Sequence, residues 1–215
     1  MRAGTRFGAS DGIEFTRLCE AAYLRQVSLS ATGFYRTPDI GYDKKRGHGK
    51  PFHYFAYGAC VAEVELDGTT GMRRVRRVDV LHDVGDSLNS ALDRGQVEGA
   101  LVQGIGWLTG EELSWSADGR LLSHSASTYQ IPTFSDAPAV MKIKLYDDVV
   151  DDAAEPTVVH GSKAVGEPPF MLAFAVREAL KEAVAAFAGP RYVVDVPSPL
   201  THEVLFAAVA RARRS

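Results

Sequence analysis

The alternation of hydrophobic and polar positions divides the first third of the chain into a helix, a polar stretch and a strand. Within residues 12–26 the apolar side chains recur at a moderate helical spacing, whereas residues 27–38 carry an extended, loop-like pattern. Residues 43–51 are polar with two glycines, which predicts an exposed loop. From Phe52 the chain becomes aromatic and β-branched and alternates loosely up to Asp67, so we predict a strand there.

A second strand is predicted directly after the first. Residues 67–71 read Asp-Gly-Thr-Thr-Gly, a composition typical of a turn. In the following residues Val75, Val78 and Val80 form the inward-facing set. Their spacing slips by one residue, and this slip predicts a β-bulge.

The next segment is rich in small residues and predicts two helices. A short helix around residues 89–93 is expected to stop at Arg94-Gly95, and a longer one to run from Gln96 to about Leu113. The small residues form a stripe that predicts close packing against a backbone or a cofactor: Gly95, Gly99, Ala100 and Gly104.

The remaining pattern adds strands and two helices. We predict a hairpin over residues 113–124, an extended stretch over 128–134, a strand over 140–146, an acidic loop over 147–156 and a short strand over 192–196. Residues 170–188 carry the strongest helical pattern, and Thr201 with Glu203 begins a last helix. The elements predict an α+β fold in which antiparallel strand pairs pack with several helices.

Composition narrows the class of protein. Of 215 residues, 46% are hydrophobic and 24% charged, as in ordinary soluble globular proteins. A net charge of −3 gives no reason to expect nucleic acid as a partner, and no apolar stretch is long enough to span a membrane. Residues 1–11 lack the apolar centre of a signal peptide and are expected to be a flexible lead-in. Two isolated cysteines cannot hold an iron–sulfur cluster and favour a reducing, cytoplasmic compartment.

The candidate chemistry lies in the segment GSKAVGEPPFML, residues 161–172. Pro168 is expected to push Glu167 into an extended conformation, and Pro169 suits the first turn of a helix. A carboxylate at a helix N-terminus is stabilised in its ionised form, and Gly166 allows another group to approach the backbone. These features fit a general base. A buried structural glutamate near a cap is the simpler interpretation of the spacing alone.

Gln96 is the second candidate. At the predicted helix N-terminus its amide could donate a hydrogen bond to a pterin or a phosphate, or it could be an ordinary polar residue of a first turn.

Several strings place these candidates in one family. The string SKAVGEPP resembles the segment that carries the catalytic glutamate in the xanthine dehydrogenase / aldehyde oxidase family of molybdenum hydroxylases. Further strings that resemble the family are VSLSATGFYRTP, PFHYFAYGAC, DVGDSLN and GQVEGALVQGIG. The resemblance implies that Glu167 is the general base that activates the hydroxylating nucleophile. It also implies that Gln96, Val165 and Gly166 contact molybdopterin, and it names no residue that would bind the metal directly.

The resemblance also implies a substrate, cofactors and partners. The string TGFYRTP favours the xanthine dehydrogenase branch, whose activity is the oxidation of hypoxanthine and xanthine to urate. Alternatives are an aldehyde or heterocycle oxidase fragment, or a non-catalytic remnant that binds a partner. Residues 12–215 correspond to the C-terminal portion of the molybdopterin-binding domain, so the upstream half is an expected partner. FAD and 2Fe-2S clusters are expected on other domains or a partner subunit, and the assembled enzyme is expected to be a homo-oligomer. The chain alone is expected to be inactive.

Overall fold

The computed structural model describes residues 13–146, 158–189 and 192–215. The chain forms two compact units, residues 1–53 and residues 54–215. The expected lead-in of residues 1–11 and the predicted acidic loop of residues 147–156 lie outside the described residues.

The first unit contains one helix and one small hairpin. Helix α1 spans Phe15–Leu24, within the predicted range, and none of its residues is buried. Strands β1 (Gly41–Asp43) and β2 (His48–Lys50) pair in antiparallel fashion where the sequence predicted an exposed loop. Their turn is held by Oδ1 of Asp43, which accepts hydrogen bonds from the N–H groups of the second and third residues after it. The loop prediction was therefore wrong, although the strands are short and exposed.

The second unit is built around a three-stranded sheet. Its strands are β3 (Gly58–Leu66), β4 (Arg73–His82) and β5 (Val140–Leu145), in the order β3-β4-β5. Strands β3 and β4 form the predicted antiparallel pair, and their register shifts between Glu63 and Val64, which confirms the bulge.

Strand β5 pairs with β4 in parallel, whereas the sequence predicted antiparallel strand pairs. A parallel pair needs a long crossover, and the chain between these strands contains helix α2. The α+β fold, with helices packed on a small sheet, is confirmed.

Helix α2 runs without interruption over Ser90–Thr109, so the predicted break at Gly95 was wrong. The side chain of Asn89 caps the helix by accepting hydrogen bonds from the N–H groups of Ala91 and Leu92. A buried stripe of Val97, Leu101, Ile105 and Leu108 holds the helix on the core. This packing outweighs the roughly 1 kcal/mol that glycine costs inside a helix.

The C-terminal helices complete the second unit. A 3-10 helix over Pro168–Ala173 leads directly into helix α3, Phe174–Ala185, and helix α4 spans His202–Ala212. Thr201 caps α4 as predicted. Residues 192–196 form no strand, and none of the strands in the described part of the chain pairs with them.

The core lies between one face of the sheet and the helices. Val75, Val78 and Val80 point into it, as predicted from their spacing. From the helices it receives Leu101, Ile105, Val176, Leu180, Leu205 and Val209. Among the glycines of the small-residue stripe, only Gly104 packs closely against another segment. A Cβ on Gly104 would lie 2.6 Å from the carbonyl oxygen of Phe170. Helix α2 and the 3-10 helix therefore pack backbone to backbone at this point.

Candidate functional site

Glu167 lies on the surface at the start of the 3-10 helix. Its backbone has φ −95° and ψ −37°, and its carbonyl oxygen accepts a 3.0 Å hydrogen bond from the N–H of Phe170. The predicted extended conformation was therefore wrong. A residue that precedes a proline usually avoids the helical region of φ and ψ. In this chain the 3-10 turn and the buried ring of Pro169 hold Glu167 in that region. The carboxylate makes no capping hydrogen bond and is exposed.

Gln96 lies beside the loop that carries Glu167. Its position is the seventh residue of α2 rather than the helix N-terminus, so the predicted donor at a helix start was wrong. An ideal Cβ built on Gly166 would nevertheless lie 3.5 Å from Oε1 of Gln96 and close to nothing else. The structure thus brings together two of the predicted site residues from separate elements.

The backbone near Glu167 offers hydrogen-bond donors. We call residues 162–167 the glutamate loop. Within the described residues, the N–H groups of Val165, Gly166 and Glu167 donate no hydrogen bond. The side chain of Val165 packs against the core, which leaves its main chain for any contact outside. Consecutive free N–H groups next to an amide side chain and an open glycine fit the polar edge of a pterin cofactor.

A buried ion pair fastens the N-terminal side of the glutamate loop. Nζ of Lys163 lies 2.7 Å from Oδ2 of Asp83, and both residues are less than one-tenth exposed. Oδ1 of Asp83 accepts a 2.8 Å hydrogen bond from the N–H of Gly85. Burial raises the pKa of the Asp83 carboxyl, but hydrogen bonds from Lys163 and Gly85 outweigh it and hold the pKa below its ordinary value.

Backbone contacts join the same two segments. The N–H of Lys163 donates to the carbonyl of Val84 at 2.8 Å, and the N–H of Asp86 donates to the carbonyl of Gly161 at 2.9 Å. The hydroxyl of Tyr54 accepts a 2.8 Å hydrogen bond from the N–H of Ala164. The loop is therefore held against the end of strand β4.

Sequence reasoning missed Lys163, Asp83 and Tyr54. The available signal was a lysine within a run of small and apolar residues, four positions before the glutamate. Such a lysine must either reach solvent or meet a carboxylate. Nothing in the local pattern identifies Asp83 as that carboxylate, because the two lie in segments far apart in the sequence.

The exposed side of α2 extends the surface around Gln96. Cβ atoms on Gly95 and Gly99 would meet nothing within 4 Å. Further along, the ring of Trp107 lies 5.2 Å from that of Phe170 and 5.7 Å from that of Phe174, centroid to centroid. The surface beside the glutamate loop thus passes from open glycines to exposed aromatic rings.

A polar cavity of about 250 Å³ lies at the opposite end of α2. Its lining mixes both signs of charge, with Arg73 beside Glu112, Asp136 and Glu203. The guanidinium of Arg73 donates to the carbonyl of Thr109 at 3.0 Å, so it caps the end of the helix. At 1.5 Å per residue this cavity is about 20 Å from Gln96, and it contains none of the predicted site residues.

The described residues hold no group of three or more histidine, cysteine, aspartate or glutamate side chains arranged for a metal ion. None of the helices they form has both the length and the apolar character needed to cross a membrane.

Comparisons with known proteins point to one group. The profile of the molybdopterin cofactor-binding domain matches residues 2–138, a range that includes Gln96 and ends before the glutamate loop. A xanthine dehydrogenase/oxidase of Felis catus is 50% identical over 166 residues, which are 77% of this chain and 12% of that protein. A xanthine dehydrogenase of Oryza sativa subsp. japonica is 46% identical over 179 residues, or 80% of this chain and 13% of that protein.

A solved structure shows the same fold. The aldehyde oxidoreductase of Desulfovibrio gigas superposes with a TM-score of 0.62 and 24% identity, covering 89% of this chain and 20% of that one. The chain therefore spans about an eighth of the length of the two sequence relatives and a fifth of the solved chain.

Proposed function

Because this chain belongs to the molybdopterin cofactor-binding domain family, we propose that it forms part of a molybdenum hydroxylase that oxidises hypoxanthine and xanthine to urate. The observation that supports this most strongly is the meeting of Gln96 with the glutamate loop at Gly166. Two strings that resemble the same family are thereby joined at one surface. The substrate class rests on the similarity to xanthine dehydrogenases.

Glu167 is the proposed general base. Its carboxylate is exposed and makes no capping hydrogen bond, so it is available to take a proton from the hydroxylating nucleophile. The 3-10 turn fixes its main chain through the Phe170 N–H, and a fixed base is more effective than a mobile one.

Gln96, Val165 and Gly166 are the proposed cofactor contacts. The amide of Gln96 and the free N–H groups of the loop would bind the polar edge of molybdopterin, and the absent side chain of Gly166 would let it approach the backbone. When bound, molybdopterin with its molybdenum supplies the two-electron redox centre.

The rest of the enzyme is proposed to lie outside this chain. The upstream half of the molybdenum region would form the other walls of the site, because a cofactor pocket encloses most of its ligand. FAD and 2Fe-2S clusters would reside on other domains or a partner subunit of a cytoplasmic homo-oligomer. We propose that the chain is inactive until it is assembled with these parts.

Substitution of Glu167 by glutamine in the assembled enzyme tests the proposal. We expect a roughly 10²–10⁴-fold loss in turnover of xanthine, with molybdenum content unchanged, because glutamine keeps the shape and removes the base. Glu182→Gln is the control, since Glu182 is an exposed glutamate on helix α3. Near-normal turnover in Glu167→Gln at full cofactor content would refute the catalytic role. Turnover of aldehydes but not of xanthine would refute the substrate class.

A further inference from the structure

The ion pair between Lys163 and Asp83 differs from the others that the described residues form. Both of its side chains are at least nine-tenths buried, whereas every other pair has at least one partner that is more than a quarter exposed. The ammonium also lies 5.8 Å from the centre of the Tyr57 ring. Two charges have thus been taken out of water beside the glutamate loop.

Such a pair is a poor way to gain stability. The desolvation of two charges offsets most of their attraction, and apolar residues of similar volume often serve as well or better. What a buried pair adds is a fixed separation, since a buried ammonium that leaves its carboxylate exposes both charges to an apolar surrounding. The pair is therefore better explained by the placement of the segment that it fastens.

The segment that the pair fastens is the glutamate loop. Its N-terminal side is fastened by the Lys163–Asp83 pair and by the Lys163 N–H on Val84. Its C-terminal side is fastened where Phe170 packs its carbonyl on Gly104 of helix α2. Glu167 lies between these two attachments, four residues after Lys163 and three before Phe170.

We infer that Lys163, held by Asp83, is a positioning residue that sets where the Glu167 carboxylate stands relative to Gln96. This inference rests on the proposed role of Glu167 as the base. Loss of the pair would leave only the hydrogen bonds to Val84 and Tyr54 on this side of the loop, so the loop would shift more freely about its attachment at Phe170. Gly166 would then lie beside Gln96 for only part of the time.

The test compares two variants of the assembled enzyme. Lys163→Met alone leaves a buried, unpaired carboxylate and is expected to unfold more easily. The double variant Lys163→Met, Asp83→Leu removes both charges, keeps an apolar contact and isolates the positional effect. Lys181→Met is the matched control, because Lys181 pairs with Glu178 at 2.6 Å on helix α3 with that glutamate half exposed.

For the double variant we expect hydrogen exchange at the Ala164 amide to be at least tenfold faster, at about the wild-type midpoint of unfolding. We expect kcat to fall by about 10²-fold with KM nearly unchanged, because a base displaced by about 1 Å loses rate rather than substrate binding. The Lys181 variant should show neither change. Wild-type exchange at Ala164, or wild-type kcat at full cofactor content, would overturn the inference. A failure of the base assignment itself would instead appear as an active Glu167→Gln enzyme.

Discussion

Oε1 of Gln96 lies 3.5 Å from the position that a Cβ on Gly166 would take, although the two residues belong to a helix and a distant loop. That distance is ordinary van der Waals contact, so a single methyl group fits. A branched side chain would extend into the space that the proposed cofactor needs.

Substitutions at Gly166 should therefore separate cofactor binding from folding. We expect Gly166→Val in the assembled enzyme to lower molybdenum content severalfold, because its γ-methyl groups occupy the approach to the backbone. Gly166→Ala is the graded control and should keep most of the metal. Metal analysis by mass spectrometry, with thermal unfolding measured in parallel, checks both. Full molybdenum content in the valine variant would exclude close approach of the cofactor at this glycine.

Alanine substitutions along helix α2 should have opposite effects on stability. Gly95→Ala should raise the free energy of unfolding by about 0.5–1 kcal/mol, because its Cβ would meet nothing within 4 Å and glycine costs helix stability. Gly104→Ala should lower it by about 1–3 kcal/mol, because its Cβ would lie 2.6 Å from the carbonyl of Phe170. Denaturant unfolding of both variants measures the difference, and equal values would contradict the backbone packing seen at Gly104.

His82 should make stability depend on pH. Burial lowers the pKa of its imidazole below the ordinary value of 6.5, more than the nearby Asp83 raises it. Within the described residues neither ring nitrogen has a hydrogen-bond partner. As the pH falls, the unfolded chain therefore binds a proton at this histidine before the folded chain does. The contribution of His82 to the free energy of unfolding is complete above about pH 6.5 and is lost as the pH falls through the lower folded pKa.

His82→Leu should remove this loss, because leucine has no group to protonate and leaves no buried nitrogen unpaired. Midpoints of urea unfolding at pH 7.5 and at pH 5.5 measure the effect. The variant should gain stability over wild type on going to the lower pH. An identical pH dependence in both proteins would assign the loss to other groups.

The 215-residue chain on its own should retain no molybdopterin and form no urate. On the proposed function, the other walls of the cofactor pocket would come from outside this chain. The surface around Phe170 exposes Trp107, Met171 and Phe174 by 41%, 54% and 42%. Such a patch also favours self-association. Molybdenum analysis, a urate assay with an artificial electron acceptor, and light scattering check these outcomes. Stoichiometric molybdenum with measurable urate would show that the chain is self-sufficient.

The sequence predicted elements whose signals are local and periodic. The inward set of β4 and its bulge follow from three valines, and the start of α4 follows from Thr201. The break predicted at Gly95 failed because a glycine weakens a helix locally, whereas the buried stripe that contains Leu101 acts over its whole length. The strand predicted over residues 192–196 failed because a strand needs a partner, and a partner is not a local property.

The candidate site was predicted in part. Glu167, Gln96, Val165 and Gly166 were found through strings that resemble a family, and the structure places Gln96 beside Gly166. The helix N-terminus assigned to Gln96 was wrong, since Asn89 begins the helix earlier. The ion pair of Lys163 with Asp83 lay beyond sequence reasoning because it joins two loops whose meeting depends on the tertiary fold.

The parallel pairing of β5 with β4 has a consequence for the order of folding. Strand β4 meets β3 across a short turn, whereas β5 must return after the whole of α2 has been made, so its contact closes a much longer loop. The hairpin should form early and β5 should dock late. The glutamate loop is fastened to Asp83, 80 residues earlier in the chain, so the seat of Glu167 closes a long loop as well and should also form late. During synthesis on the ribosome, the proposed base would therefore reach its place after this hairpin has formed.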